Sequence, residues 1–235
     1  MNITLDSICN IQLYQSKTGY RFSVDSLLLY DFVNLRTSKS IADFGAGSGI
    51  VGILLARKYP EAHVTLFEIQ ESLAKLAEEN VRLNKLEKRV SVVKTDIKML
   101  PKRSIFDLIV SNPPFRRLKS GRINIEEERA IARHEINLSL SDLIKSAANT
   151  VLAKGRFCLI YHPWRLSELF VTLRKNDFEP KRLRFIHSNP STEAKMVLLE
   201  SVKGGKIGLK IEKPLYIYEE SGEYTEEIKN IYNKS

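Results

Sequence analysis

The residues best suited to chemistry form a short run, Asn112–Phe115, in which an amide and an aromatic ring flank two prolines. Because proline has no N–H and a fixed φ, the preceding apolar strand-like segment must stop here, and the backbone is stiff. The Asn112 side-chain oxygen and the Pro113 carbonyl can then accept both hydrogens of an exocyclic amino group. Phe115 offers a face on which a planar ring can stack. The alternative interpretation is a strand-ending turn beside a core phenylalanine.

A glycine-rich loop, Asp43–Gly49, lies between an apolar strand and an apolar helix. Its glycines, Gly45, Gly47 and Gly49, allow a tight turn and a close approach of a ligand to the backbone. The following helix offers free N–H groups and partial positive charge at its start. The loop therefore predicts a binding site for a nucleotide-like ligand.

Two acids end the next two predicted strands of the chain. Glu68 can accept hydrogen bonds from both hydroxyls of a ribose, and Asp96 could meet an adenine amino group. The spacing of Gly47–Gly52 also fits the fingerprint of a dinucleotide site. A NAD site would leave Asn112–Phe115 unexplained, and no histidine or tyrosine is obviously placed for hydride chemistry.

Strands and helices alternate at the spacing of βαβ units, which predicts a parallel sheet with helices on both faces. The predicted strands cover residues 40–44, 63–67, 90–93, 106–111, 155–161, 182–187 and 195–201. The predicted helices cover residues 24–35, 50–59, 71–85, 141–153 and 166–175. The link 188–191 is too short for a parallel crossover, so the last two strands are expected to be antiparallel.

The chain is expected to form one domain over residues 1–235, since its 43% of hydrophobic residues can fill a large core. Residues 1–38 form an N-terminal extension, and residues 203–235 add a hairpin strand and a terminal helix. No apolar run could span a bilayer, and no signal peptide is seen. Cys9 and Cys158 match no metal spacing and are expected to be reduced thiols in a cytoplasmic protein, without a metal or a membrane partner.

The net charge of +9 and the pI near 9.4 favour polyanionic partners such as nucleic acid. Between residues 98 and 122 only Asp107 opposes seven cations, which bracket the Asn112–Phe115 run. These cations are Lys98, Lys102, Arg103, Arg116, Arg117, Lys119 and Arg122. They predict contacts with phosphates near the proposed pocket, and a solvated loop is the alternative.

The glycine loop, the two acids and the Asn112–Phe115 run, in this order and spacing, resemble the class I S-adenosylmethionine-dependent methyltransferases that modify amino groups. The segments Gly19–Leu29 and Ala132–Glu135 are similar to bacterial tRNA(Val) adenine-N6-methyltransferases, which methylate adenosine 37 beside the anticodon. With Gly222–Thr225 included, the similarity covers nearly the whole chain. The resemblance implies a Rossmann-like α/β fold, with a seven-stranded, mostly parallel sheet, an antiparallel last strand and helices on both faces.

The resemblance also implies S-adenosyl-L-methionine as cofactor, S-adenosyl-L-homocysteine as product and tRNA as partner. The expected cofactor-binding residues are Arg21, Ser23, Asp43, Gly45, Gly47, Gly49, Glu68, Ile69, Asp96, Ile97 and Asn112. The expected catalytic residues are Asn112, Pro113 and Phe115, with Phe115 stacking on an extruded base. The expected substrate-binding residues are Pro114, Arg116, Arg117, Lys119 and Arg122.

Three other functions remain open at this point. Protein-glutamine methyltransferases usually carry tyrosine in place of Phe115 and a larger N-terminal helical domain, for which this chain has no room. Ribosomal guanine-N2 methyltransferases share the Asn-Pro-Pro-Phe run but often carry a duplicated domain, and no duplication is seen here. A non-catalytic nucleotide- or RNA-binding module is the third, and the intact Asn112–Phe115 run argues against it.

Overall fold

The computed structural model describes residues 3–16, 24–113 and 138–233, which form a mixed sheet covered by helices and an N-terminal hairpin. The strands are β1 (Ile3–Ile8), β2 (Ile11–Ser16), β3 (Ser40–Phe44), β4 (His63–Glu68), β5 (Val90–Lys94), β6 (Phe106–Ser111), β7 (Val151–Tyr161), β8 (Phe178–His187), β9 (Ala194–Lys203), β10 (Lys210–Ile211) and β11 (Leu215–Tyr216). The helices are α1 (Val24–Phe32), α2 (Ile50–Lys58), α3 (Glu71–Leu83), α4 (Leu140–Thr150), α5 (Leu166–Lys175) and α6 (Glu226–Tyr232).

Five parallel strands form the centre of the sheet, in the order β5–β4–β3–β6–β7. Next to them β9 lies between β7 and β8 and runs antiparallel to both. The short strands β10 and β11 pair in parallel with the outer edge of β8. This confirms the predicted α/β class and the antiparallel last strand, and it adds two short strands to the predicted seven.

Alternate residues of the central strands point to opposite faces of the sheet, and each face has its own apolar core. On β6, Leu108 and Val110 belong to the core that includes residues of α1, α2 and α6. Ile109, between them, belongs to the core that includes residues of α4 and α5. Burial on both faces explains why these strands read as continuous apolar runs in the sequence.

The N-terminal hairpin is attached to the end of α3 through the side-chain amides of Asn80, in the helix, and Asn84, the residue that follows it. Asn80 Oδ1 accepts from the Tyr14 N–H at 2.6 Å, and Asn80 Nδ2 donates to the Tyr14 carbonyl at 3.1 Å. Asn84 makes the same pair of bonds with Gln12, at 3.1 Å and 2.6 Å. The two amides thus bond the backbone of β2 as a neighbouring strand would.

The predicted boundary between α4 and β7 is wrong. The helix ends at Thr150 and the strand begins at Val151, whereas the sequence indicated a helix through residue 153 and a strand from residue 155. Val151 pairs with Phe106, and the register of the two strands shifts between this pair and the next, Leu108 with Arg156. Within the shifted stretch, Lys154 adopts a φ of 64°. Strand pairing therefore overrides the helical composition of residues 151–153.

The predicted C-terminal hairpin is also wrong, although the terminal helix is confirmed as α6. The segments β10 and β11 do not pair with each other, because each pairs with β8. The outer edge of β8 offers unpaired backbone groups to both segments, and these bonds replace those of a local hairpin.

Candidate cofactor and active site

The candidate site forms where β3, β4 and β6 end side by side. The parallel register places Phe44 beside Phe67 on one side and beside Ser111 on the other. The glycine loop after β3, Glu68 at the end of β4 and Asn112 after β6 must therefore lie at one edge of the sheet. The structure thus brings together the loop, the first acid and the amide that the sequence indicated.

The glycine loop folds back on the end of β4. Gly45, Gly47 and Gly49 have φ values of 73°, 57° and 87°, which residues with a side chain rarely adopt. The Gly45 and Ala46 N–H groups both donate to the Phe67 carbonyl, at 2.9 Å and 3.0 Å. A Cβ built at Gly45 would meet no atom within 4 Å, so this part of the loop faces open space.

Gly52 has a different task, in the first turn of α2. A Cβ at this position would lie 2.1 Å from Leu66 Cδ2. The missing side chain therefore lets α2 pack directly on β4, as the third glycine of a nucleotide-binding fingerprint does.

Glu68 holds the loop and keeps hydrogen-bonding capacity for a ligand. Its Oε2 accepts from the Gly47 N–H at 2.9 Å, and its Oε1 accepts from the Gln70 N–H at 2.9 Å. Each oxygen of a carboxylate can accept about two hydrogen bonds, so each retains one acceptor position. Two such positions on one carboxylate suit a pair of adjacent hydroxyl groups.

Asp43 is buried beneath the loop, where its Oδ2 accepts from the Gly52 N–H at 3.0 Å. Burial raises the pKa of this carboxyl from 3.8 to about 7; the Gly52 hydrogen bond opposes the shift, and the negative charge of Glu68 adds to it. The contact anchors the first turn of α2 to the end of β3. Asp43 therefore has a structural role that does not depend on which ligand the loop binds.

The remaining acid and the two isoleucines expected near the cofactor differ in their surroundings. Asp96 caps a 3₁₀ turn, because its Oδ1 accepts from the Lys98 N–H at 2.9 Å, and its Oδ2 lies 3.4 Å from the Lys98 ammonium. Ile69 directly follows Glu68 and has 48% of its surface exposed, so its side chain is available to a ligand. Ile97 is buried in the core with Phe67.

Asn112 is half-buried at the end of β6, and its amide is held from α1. Its Nδ2 donates to the hydroxyl of Ser26 at 3.2 Å, and Ser26 itself is buried. The Asn112 oxygen is then the atom of the amide left to accept from another group. No sequence pattern linked Ser26 to Asn112, because 86 residues separate the two.

Asn80 was likewise not indicated by the sequence, although it connects the hairpin to the glycine loop. Besides its two bonds to Tyr14, its Nδ2 donates to the Ser48 carbonyl at 2.9 Å. Its side chain is fully buried, and both hydrogens and the oxygen of its amide are hydrogen-bonded. The position of Ser48, in the middle of the loop, thus depends on Asn80.

Several expected site residues lie outside the described residues: Arg21, Ser23, Pro114, Phe115, Arg116, Arg117, Lys119 and Arg122. Pro113 is described and half-buried, and Lys98, Lys102 and Arg103 are exposed. A groove of about 500 Å³, lined by Lys39 and Asp107 among others, lies at the opposite end of the strands and is not part of the site.

Comparison with known proteins identifies the family. The sequence model of the methyltransferase small domain matches residues 21–162, which include the glycine loop, Glu68 and Asn112. The chain belongs to the methyltransferase small domain family.

Relatives of this methyltransferase confirm the resemblance seen in the sequence. The tRNA1(Val) (adenine(37)-N6)-methyltransferase of Porphyromonas gingivalis (strain ATCC 33277) is 31% identical over 195 residues, which cover 79% of this chain and 76% of the relative. A protein of the same name from Flavobacteriaceae bacterium (strain 3519-10) is 29% identical over 187 residues, covering 79% and 78% of the two chains.

Solved structures share the fold of this methyltransferase. The crystal structure described as a predicted O-methyltransferase, protein Atu636 from Agrobacterium tumefaciens, superposes with a TM-score of 0.71 at 23% identity, covering 89% of this chain and 96% of that one. The structure of P. horikoshii TYW2 in complex with MeSAdo superposes with a TM-score of 0.62 at 18% identity, covering 87% and 72% of the chains. At these identities the likeness establishes the class I methyltransferase fold alone.

Two of the similar solved structures, P. horikoshii TYW2 and M. jannaschii TYW2, are complexes with MeSAdo and AdoMet. The described residues fit such a nucleoside, because the loop faces open space at Gly45 and Glu68 keeps an acceptor position on each oxygen. Among the residues that the structure describes, no cluster of histidine, cysteine or acidic side chains could hold a metal ion. None of the helices in that part of the chain is long and apolar enough to cross a membrane.

The buried Asp43 carboxyl predicts a pH dependence of stability that Asp43→Asn should remove. Between pH about 4 and about 7 the folded wild type keeps a proton on Asp43 that the unfolded chain has lost. This carboxyl therefore lowers the free energy of unfolding as pH rises, by up to about 1.4 kcal/mol per pH unit. Urea denaturation across this range should show the variant gaining stability relative to the wild type. Parallel pH profiles would contradict the assignment.

Asn80 in α3 and Asn84, the residue that follows this helix, provide a matched pair of variants for the cofactor loop. Asn80→Ala and Asn84→Ala each remove two bonds to β2, so we expect both to lower stability. Asn80→Ala alone also leaves the Ser48 carbonyl without its donor. Calorimetry should therefore show about tenfold weaker binding of S-adenosyl-L-methionine in Asn80→Ala, which equals the loss of about one hydrogen bond, and unchanged binding in Asn84→Ala. Equal effects of both substitutions would show that the loop does not depend on Asn80.

Proposed function

We propose that this methyltransferase transfers a methyl group to N6 of an adenosine in tRNA, with adenosine 37 of tRNA(Val) as the first candidate. The proposal rests mainly on the position of the Asn112 amide. Ser26 holds this amide at the end of β6, beside the glycine loop. An amide oxygen and a rigid backbone carbonyl form a pair of acceptors suited to an amino group. Relatives up to 31% identical are named as methyltransferases of adenine N6 in tRNA, which supports an adenine of tRNA as the base that bears this amino group.

The cofactor would be held by the loop and by the acids around it. Glu68 would accept from the ribose hydroxyls, Ile69 would cover a face of the adenine, and Asp96 would accept from the adenine amino group. The residues Arg21, Ser23, Asp43, Gly45, Gly47, Gly49, Ile97 and Asn112 would complete this site. S-adenosyl-L-methionine supplies an electrophilic methyl group on a sulfonium, so the chain's main task is to place the nucleophile in line with it.

Asn112 and Pro113 would prepare the nucleophile. The lone pair of an adenine amino group is delocalised into the ring, which makes the nitrogen a weak nucleophile. Accepting its two hydrogens at Asn112 Oδ1 and at the Pro113 carbonyl favours a pyramidal nitrogen with a localised lone pair. Held in this way, the nitrogen would present its lone pair to the methyl group that the cofactor would supply, and the N–H proton that the product must lose would pass to solvent. The ring of Phe115, with Pro114 beside it, would hold the extruded base.

The substrate would be bound largely through its phosphates. Arg116, Arg117, Lys119 and Arg122 follow the Asn112–Phe115 run in the sequence, and the exposed Lys98, Lys102 and Arg103 precede it. Phosphate contacts of this kind position an RNA without reading its sequence. The single-domain organisation of residues 1–235, with its N-terminal and C-terminal additions, stays part of the same proposal.

The direct test is methylation of defined acceptors followed by nucleoside mass spectrometry. Transcripts of tRNA(Val), the same transcripts with guanosine at position 37, ribosomal RNA and a protein extract would each be incubated with the enzyme and S-adenosyl-L-methionine. We expect N6-methyladenosine in the unaltered transcript and none when position 37 is guanosine. Methylation of guanine N2 in ribosomal RNA, or of protein with tRNA untouched, would overturn the proposal in favour of those acceptors.

Asn112→Ala should separate catalysis from cofactor binding. The contact of Asn112 with the reacting amine matters chiefly in the transition state, so kcat should fall by orders of magnitude. The Kd for S-adenosyl-L-methionine should change far less, because Asn112 is one of many residues proposed to hold the cofactor. Ser111→Ala is the matched control, because its hydroxyl donates to the Phe44 carbonyl at 2.8 Å and is not placed in the proposed site. If Asn112→Ala kept a near-normal rate in single-turnover kinetics, Asn112 would have only a structural role in the turn.

A further inference from the structure

Trp164 is the most exposed aromatic side chain among the described residues, with 53% of its surface accessible. It lies in a 3₁₀ turn, Pro163–Arg165, that directly follows β7. We propose that this Trp164 turn is a platform on which a base of the RNA substrate, next to the target nucleotide, stacks. The inference rests on the proposed function and extends it to a surface outside the Asn112–Phe115 run.

The register of the sheet places the Trp164 turn at the active-site edge. β7 pairs in parallel with β6, and Leu159 is the partner of Ser111. Because neighbouring strands lie about 4.8 Å apart, β7 leaves the sheet next to Asn112 and then continues into the turn. His162 Nδ1 lies 3.4 Å from the Lys195 carbonyl, which ties the start of the turn to β9.

Arg165 holds the ring of Trp164 in a defined position. The guanidinium carbon lies 5.6 Å from the centroid of the Trp164 ring and 5.6 Å from that of Tyr161. Glu168 fixes the guanidinium through two hydrogen bonds of 2.8 Å. Arg165 is therefore clamped between two rings and a carboxylate, which lowers the entropy that ordering Trp164 against a ligand would cost.

A nucleobase suits this surface better than an apolar protein segment does. Among the described residues, the turn presents one large exposed ring, and the exposed side chain of Lys195 lies on β9, the strand to which His162 is tied. Proteins that bind single-stranded nucleic acid commonly combine an aromatic ring, on which a base stacks, with a cation, which contacts the neighbouring phosphate. The anticodon loop, which contains position 37, is single-stranded.

The turn contains the only tryptophan of the chain, so its fluorescence reports on the turn alone. Titration of the wild type with tRNA(Val) or with a single-stranded oligonucleotide should quench this fluorescence as the base stacks. Polyphosphate, which offers charge without bases, should leave it nearly unchanged. Absence of quenching by RNA that demonstrably binds would overturn the platform.

Binding measurements on variants complete the test. Trp164→Ala should weaken tRNA binding by between about fivefold and a hundredfold, with binding of S-adenosyl-L-methionine unchanged, and Trp164→Phe should restore part of the loss. Val171→Ala is the control, because Val171 is also 53% exposed and lies on the adjacent α5.

The failure of this inference and that of the proposed function are distinguishable. If the wild type methylates tRNA and Trp164→Ala binds it as tightly as Val171→Ala does, the platform alone is refuted. If the wild type does not methylate tRNA but its fluorescence is quenched by oligonucleotides, the platform stands and the proposed acceptor is wrong. If it neither binds nor methylates RNA, both are refuted.

Discussion

Every part of the candidate site depends on the position of β3 between β4 and β6. The chain runs from β3 outward through β4 to β5 and then returns to the other side of β3 as β6. At such a reversal of strand order, the connections leave toward opposite faces of the sheet, and a crevice opens beyond the carboxyl ends of the two central strands. The glycine loop follows one of these strands and Asn112 follows the other. A cofactor site and an acceptor site can therefore share one crevice.

Buried polar contacts hold the walls of this crevice in place. Asp43 anchors α2 to the end of β3, Glu68 holds Gly47, and Asn80 holds Ser48. Since a buried polar atom without a partner is costly, these contacts reinforce one loop conformation more strongly than apolar packing would. Ser26 does the same for Asn112 on the other wall. The same groups that shape the crevice thus stand close to the atoms that would bind ligand.

The sequence predicted those parts of the site that are encoded locally. The strand, glycine loop and helix around Gly47, and the strand end at Asn112, each carry their signal within about ten residues, and the alternation of elements predicted the parallel sheet. Ser26 and Asn80 act through contacts that only the folded chain creates, and the position of Trp164, for which we propose a role, also arises only in the folded chain. Asn80, for example, meets backbone atoms 66 and 32 residues away. A single sequence contains no periodic pattern for such pairs.

The errors in the predicted elements have the same origin. Residues 151–153 have a composition compatible with a helix, but Val151 gains a strand partner in Phe106, which lies far earlier in the chain. The residues after Lys203 suggested a hairpin strand, yet β8 offered a partner to two separate segments, β10 and β11. In both cases pairing between distant segments decided the structure over local preference.

The place of β9 in the sheet has a consequence for how the chain is made. β9 separates β7 from β8, although it follows both of them along the chain. While the ribosome is still adding residues before Ala194, β7 has an open edge, and β8 has no neighbouring strand in the sheet. Open strand edges recruit other chains, and pairings between distant segments form slowly. A nascent or truncated chain that lacks residues 194–203 is thus the form most exposed to aggregation and most in need of a chaperone.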